Sequence, residues 1–426
     1  MTRSAIPVTV FLIFAFLNVL GAGIPETGEA RRRMMDFMVA PVLPHQEIYR
    51  EVIHQRTGGM VFFRTYEQTG GRYYAFKPMD ADGEAMLVSP GTWVIRRRIE
   101  DGAFEQIKIF LQYDEQSFLR IFPAGRTARM DVEIAGVGLY TGVPVPMTME
   151  RLITVPMAML QDATAGFVDW SLLAPDPHEP GYRYIKDAVE EIRRVLPDLG
   201  DADDGAMDRD GRLVYIESLE PQDDGGGFNC SGFAKWVVDG FYYGRTGLLL
   251  PVEPLKRKHT AYRGTSWTHT VEDERDPFFG LDWTRNLALH MLALDRRVDP
   301  ETLDPRAGDV REITSADRIE NVGYRVEELQ HVLYRLALRE PGTFYLGSVN
   351  STFGGEVVLR QHTHVVVFFP WFDGNGTFRV AVMERNTETG LESLSRRYAG
   401  GFVHLVRVSG HREFAPPPVG GAYESD

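Results

Sequence analysis

From Gly58 to about Pro156 the residue pattern is that of β-strands joined by tight turns, and this restricts what that part of the chain can fold into. The stretches GMVFFRTY and RYYAFKP flank Gly70-Gly71, while TWVIRRRIEDGAFEQIKIFLQY reads as a hairpin turning at Asp101-Gly102, a dipeptide suited to tight antiparallel turns. Ile107, Ile109, Leu111 and Tyr113 fall on one side of the returning strand. The spacing predicts a β-rich domain over residues 31–173, a small antiparallel sandwich or barrel with aromatic residues in its core. The chain carries 42 glycines and 25 prolines, which favours turns and sheets over a helical bundle.

The Pro-rich APDPHEPG marks a linker. After it, Tyr182, Ile185, Ala188, Val189, Ile192 and Val195 follow a helical period that Pro197 closes. The acidic DLGDADDGAMDRDG matches part of a calcium-loop template, but Ala206 occupies the first ligand position, so the stretch reads as a solvated acidic turn. Helices are expected at DWTRNLALHMLALDRR and YRVEELQHVLYRLALRE, then strands at GTFYLGSV, THVVVFFPW, TFRVAVMERN and GFVHLVRV. Residues 411–426 read as a disordered tail.

At the N-terminus, Arg3 precedes an apolar run from Ala5 to Leu20 and the small residues Gly21, Ala22 and Gly23, the order of a secretory signal spanning residues 1–23. The run is short for a bilayer span and is broken by Pro7 and Asn18, so no stable membrane insertion is expected once the signal is removed. No cysteine follows to take a lipid anchor, and the mature chain is expected to be secreted or periplasmic. A net charge of −14 argues against nucleic acid as a partner, since such binding needs an excess of Lys and Arg to displace counterions.

In that setting the single cysteine of the 426 residues, Cys230, needs a reason. It lies in GGGFNCSGFAKWVVDG, where Asn229 is a good helix N-cap and Cys230 falls in the first turn. Unpaired amides and the helix dipole stabilise a thiolate there by typically 0.3–1 kcal/mol. Since one pKa unit is worth about 1.4 kcal/mol, a histidine must supply the rest. Small Ser231 and Gly232 leave room for a substrate carbonyl, and the three glycines allow close approach to a ligand. Phe233, Trp236, Val237 and Phe241 form the buried stripe.

Candidate bases are His362 and His364, placed on one face by strand alternation, with Glu384 and Asn386 sharing a face near the end of the next strand. A metal reading of His362, His364 and Glu384 competes with this one.

NCSGF resembles the nucleophile motif of the NlpC-like cell-wall peptidases, and HVVVFF…GNGTFRVAVMERN resembles the second half of a CHAP (cysteine- and histidine-dependent amidohydrolase/peptidase) domain. The resemblance implies an α+β, papain-like domain over 182–410, with a cysteine-bearing helix packed on an antiparallel sheet and an insertion at about 244–325. It implies Cys230 as nucleophile, His364 as base, Glu384 as its orienting group and Asn386 as support, with Tyr215 and Ser231 lining the substrate site. No cofactor or metal enters such chemistry, and the implied substrate is a peptide or peptidoglycan-like amide. An acyltransferase or thioesterase using the same cysteine, and a non-catalytic envelope binding protein, remain as alternatives.

Overall fold

A computed structural model describes residues 26–419, apart from 43–46, 81, 84–90, 112–114, 174, 175, 177, 224, 263–279, 312, 314, 315, 354–358 and 375. The signal assigned to 1–23 lies outside the described residues.

The first half forms one antiparallel sheet of eight strands: β1 (Arg50–His54), β2 (Met60–Gln68), β3 (Gly71–Met79), β4 (Trp93–Arg98), β5 (Phe104–Phe110), β6 (Phe118–Ala124), β7 (Thr127–Ile134) and β8 (Val137–Val145). Each strand pairs with the next in sequence, so the sheet is an antiparallel meander in the order β1 to β8. Its buried face carries Ile53, Phe63, Phe76, Trp93, Ile107, Ile109, Leu119 and Ile121. Short helices at Glu29–Arg33, Met35–Val39 and Met149–Leu152 bring buried Ala30, Met38 and Leu152 into the same core. Arg31 is buried there, its guanidinium 3.4 Å from the centre of the Trp93 ring, and it pairs with Glu26 at 2.6 Å. A buried cation needs such a partner, and the carbonyls of Ile153 and Val155 take its remaining donors.

The second sheet has seven strands: β11 (Arg318–Ile319), β12 (Gly323–Arg325), β13 (Thr343–Phe353), β14 (Leu359–Phe372), β15 (Phe378–Glu384), β16 (Thr387–Thr389) and β17 (Phe402–Ser409). They lie in the order β11-β12-β17-β13-β14-β15-β16, with every pairing antiparallel. A two-stranded ribbon, β9 (Ala206–Met207) with β10 (Leu213–Val214), stands apart. Leu346, Val365, Val367, Phe369 and Val406 of the large sheet join the core of the Pro180–Val195, Cys230–Thr246 and Gly280–Arg296 helices. Tyr345, Val349, Val366, Phe368 and Val382 join a separate core with Leu333 and Leu336 of the Leu329–Arg339 helix and Leu394 of the Leu391–Arg397 helix.

This architecture corrects the sequence expectation. The chain is β-rich, dominated by antiparallel sheets of eight and seven strands, and this replaces the expected α+β papain-like domain. The region read as an insertion supplies core: Trp283, Leu287 and Met291 are buried, and Arg285 forms a buried pair with Asp309 at 2.8 Å. Val310 then donates its amide to Leu405 of β17, which ties this region to the sheet.

The start of the expected tail is also packed. Phe414 packs against Phe241 with ring centres 4.6 Å apart and planes tilted by 53°, Ala415 donates its amide to the Gly240 carbonyl, and Trp236 donates its indole N–H to the Pro417 carbonyl at 2.9 Å. Sequence composition registers the prolines and glycines here but not the groove that receives Phe414. Residues 420–426 lie outside the described residues.

Candidate functional site

Asn229 caps the Cys230–Thr246 helix, its side-chain oxygen accepting the Gly232 amide at 2.7 Å. The amides of Cys230 and Ser231 therefore have no acceptor within the helix. Two glycines beside the cysteine, Gly227 before it and Gly232 after it, are required by chain crossing. A Cβ on Gly232 would sit 1.8 Å from the Gly205 carbonyl oxygen, and one on Gly227 would sit 2.2 Å from the Gly200 carbonyl carbon. Backbone thus crosses backbone directly beneath the cysteine. From the other side Trp283 donates its indole N–H to the Ser231 carbonyl at 2.9 Å.

The two histidines are separated by a bulge. Val349 pairs with His364 and Asn350 with His362, so Thr363 is the extra residue on β14. Paired residues share a face and adjacent residues do not, which puts His362 and His364 on opposite faces of the sheet. His362 is buried, hydrogen-bonded to Ser348 Oγ at 2.6 Å. Burial, with help from nearby His404 and Arg285, holds its pKa well below the ordinary histidine value. The expectation of a shared face fails here, and with it the convergence that a metal site of His362, His364 and Glu384 would require. Among the described residues, no group of three or more His, Cys, Asp or Glu side chains is arranged to hold a metal.

His364 lies beside the end of β15. The β14–β15 pairing stops at Val367–Met383, which leaves the edge of β14 open one step further on. Cys230 meets His364 at that edge: the thiol and the imidazole share a hydrogen bond, and the Val365 amide also bonds the sulfur. On its other side His364 Nε2 donates to Glu384 Oε2 at 2.7 Å. Glu384 is buried, and its Oε1 accepts from Thr389 Oγ1 at 2.5 Å and from the Arg397 guanidinium. The Tyr398 ring stacks on His364 with centres 6.0 Å apart and planes 17° from parallel.

The electrostatics follow from these contacts. Burial pushes the Cys230 thiol up, but the bond and charge of His364, the Val365 amide and Arg385 together bring it below the ordinary thiol value. Burial opposes protonation of His364, yet its bonds to Cys230 and Glu384 raise it to about 9. Burial also opposes the charge on Glu384, while His364, Arg397 and Thr389 lower it to about 2. A thiol lowered in this way, beside an imidazole raised and held by a carboxylate, has the arrangement that nucleophilic catalysis requires.

Asn386 is not part of this group. β15 ends at Glu384, and Asn386 sits in the hairpin turn to β16, where its amide donates to the Leu199 carbonyl at 3.0 Å. Arg385, in the same turn with φ +49°, ties it to Asp201 at 3.0 Å. Tyr215 stands exposed just after β10, its amide bonded to the Glu220 carbonyl. Ser231 occupies the second helical position. Thr389, Arg397, Tyr398 and Trp283 escaped the sequence reading, because no local period or motif links them to a cysteine more than fifty residues away. A separate cavity of about 580 Å³, lined by His259, Tyr262, Asn286 and His290 among others, includes none of Cys230, His364 or Glu384.

Set against known families, residues 21–172 match a domain of unknown function, DUF8515, a span that covers the eight-stranded meander and ends before the Cys230 region. The suspected membership of the NlpC-like and CHAP families is corrected accordingly: no match to either supports it. No curated protein and no solved structure matches the chain.

Proposed function

We propose that this protein is a cysteine hydrolase that opens amide or peptide bonds through a thioester on Cys230. The observation that carries the reading is the hydrogen-bonded series Cys230–His364–Glu384, with the thiol lowered and the imidazole raised to about 9. The thiolate attacks the substrate carbonyl carbon, a C–S bond forms, and the carbonyl electron pair moves to oxygen. The amides of Cys230 and Ser231, in the first turn of the helix, are the donors this reading assigns to that oxyanion. As the oxyanion collapses the C–N bond breaks and His364 gives its proton to the leaving amine. Water then attacks the thioester with His364 as base, the C–S bond breaks, and the thiolate–imidazolium pair is restored.

A peptide or cell-wall peptide is the substrate class to try first, and the apolar run from Ala5 to Leu20 supports a secreted or periplasmic setting for such an enzyme. The test is intact-mass analysis after mixing the full chain with p-nitrophenyl acetate and, separately, with cell-wall peptide fragments. The expected result is acylation confined to Cys230, turnover of an amide, and loss of both in Cys230→Ala. Absence of any acyl adduct, together with alkylation of Cys230 at the rate of an ordinary thiol, would favour a non-catalytic binding protein and sink the hydrolase.

A further inference from the structure

We propose that Arg397 and Tyr398, consecutive residues at the end of the Leu391–Arg397 helix, clamp the reactive group in place, Arg397 holding Glu384 and Tyr398 backing the ring of His364. The proposal rests on the reading of Cys230 as a nucleophile.

Glu384 divides its oxygens between two tasks. Oε2 accepts the His364 hydrogen bond, while Oε1 is filled by Thr389 and Arg397, so the carboxylate cannot swing away without giving up both of those donors. Tyr398 lies nearly parallel to the imidazole, with ring centres 6.0 Å apart. A protonated ring facing an aromatic face gains cation–π stabilisation that a neutral ring does not. The clamp residues also touch each other, the Arg397 guanidinium carbon lying 5.4 Å from the Tyr398 ring centre.

Their backbone is fixed from both sides. Leu394 is buried in the core shared with Val332 and Leu333, the Tyr398 amide bonds the Leu394 carbonyl, and Gly401 bonds back to the Tyr398 carbonyl. Arg397 acts through Glu384 and Tyr398 through the His364 ring, so both are positioning residues. The charged and titratable groups that face the pair are Cys230 from its helix, Glu384 from β15, Arg385 from the following turn, and Arg397 and Tyr398 themselves.

Because Cys230 is the only cysteine, iodoacetamide reports on it alone. Its alkylation rate is measured from pH 4 to 10 in the full chain and in Arg397→Met, Arg397→Lys, Tyr398→Ala and Tyr398→Phe, with Tm recorded for each. Tyr398→Leu, which keeps bulk without a π face, replaces alanine if alanine unfolds the chain. The clamp requires the midpoint of thiolate formation to rise by about half a unit or more in Arg397→Met and Tyr398→Ala, and to stay near wild type in Arg397→Lys and Tyr398→Phe. Midpoints that stay put in methionine and alanine variants, even with a lowered Tm, overturn the clamp alone. A wild-type midpoint at the ordinary thiol value overturns the nucleophile reading and the clamp with it.

Discussion

His362 and His364, two positions apart on β14, stand on opposite faces of the sheet because Thr363 bulges between them. One ring is buried against Ser348, and the other meets the only cysteine in the chain. The difference gives the first prediction. His364→Ala removes the hydrogen bond and charge that lower the thiol, so burial dominates and the Cys230 midpoint climbs above its ordinary value. Alkylation at pH 6 should slow by roughly tenfold or more, following the lost thiolate fraction. His362→Ala should leave the alkylation profile in place and lower stability by about 1–3 kcal/mol, the usual cost of stranding a buried hydrogen-bond partner.

Stability should depend on pH in a defined direction. His364 is raised from 6.5 to about 9, so its folded form holds the proton more tightly; that contribution is complete below about pH 6.5 and disappears as pH climbs through about 9. Glu384 is lowered from 4.5 to about 2, so its contribution is present above about pH 4.5 and is lost as pH falls through about 2. The Tm difference between wild type and His364→Gln, measured from pH 2 to 10, should therefore be widest between about pH 4.5 and 6.5 and shrink at both ends. A difference that does not change with pH would contradict the assigned contacts.

The crossing under the cysteine should tolerate no side chain. In Gly232→Ala the new Cβ meets the Gly205 carbonyl oxygen at 1.8 Å, a backbone atom that cannot swing aside. Expected losses are about 3 kcal/mol in chemical denaturation and a thiol midpoint returning toward the ordinary value, as the helix start shifts from His364. Ser231→Ala, one residue earlier, should leave both readouts near wild type.

The C-terminal segment should be part of the folded unit. Ending the chain after Gly410 removes the Phe414 ring packed on Phe241 and the carbonyl that accepts the Trp236 indole. Burial of one phenylalanine and one buried hydrogen bond together predict a loss of about 3 kcal/mol, readable as a lower denaturation midpoint.

Much of the local structure was legible in the residues themselves. Alternation located strands in both sheets, Asp101-Gly102 marked a hairpin, and Asn229 set the start of the helix at Cys230. Those signals are short-range: a period or a cap is complete within a few residues. The larger architecture was misjudged, because a motif match of five residues says nothing about how many strands the rest of the chain contributes.

From its own order the chain determined where strands and helices begin, and that one thiol would sit in the first turn of a helix. Tertiary structure alone decided which histidine reaches that thiol, that Asn386 turns away to Leu199, and that Thr389, Arg397 and Tyr398 gather round Glu384 and His364. The physical reason is that a bulge and a carboxylate's partners are set by pairing between segments far apart in the chain, where local propensity exerts no force.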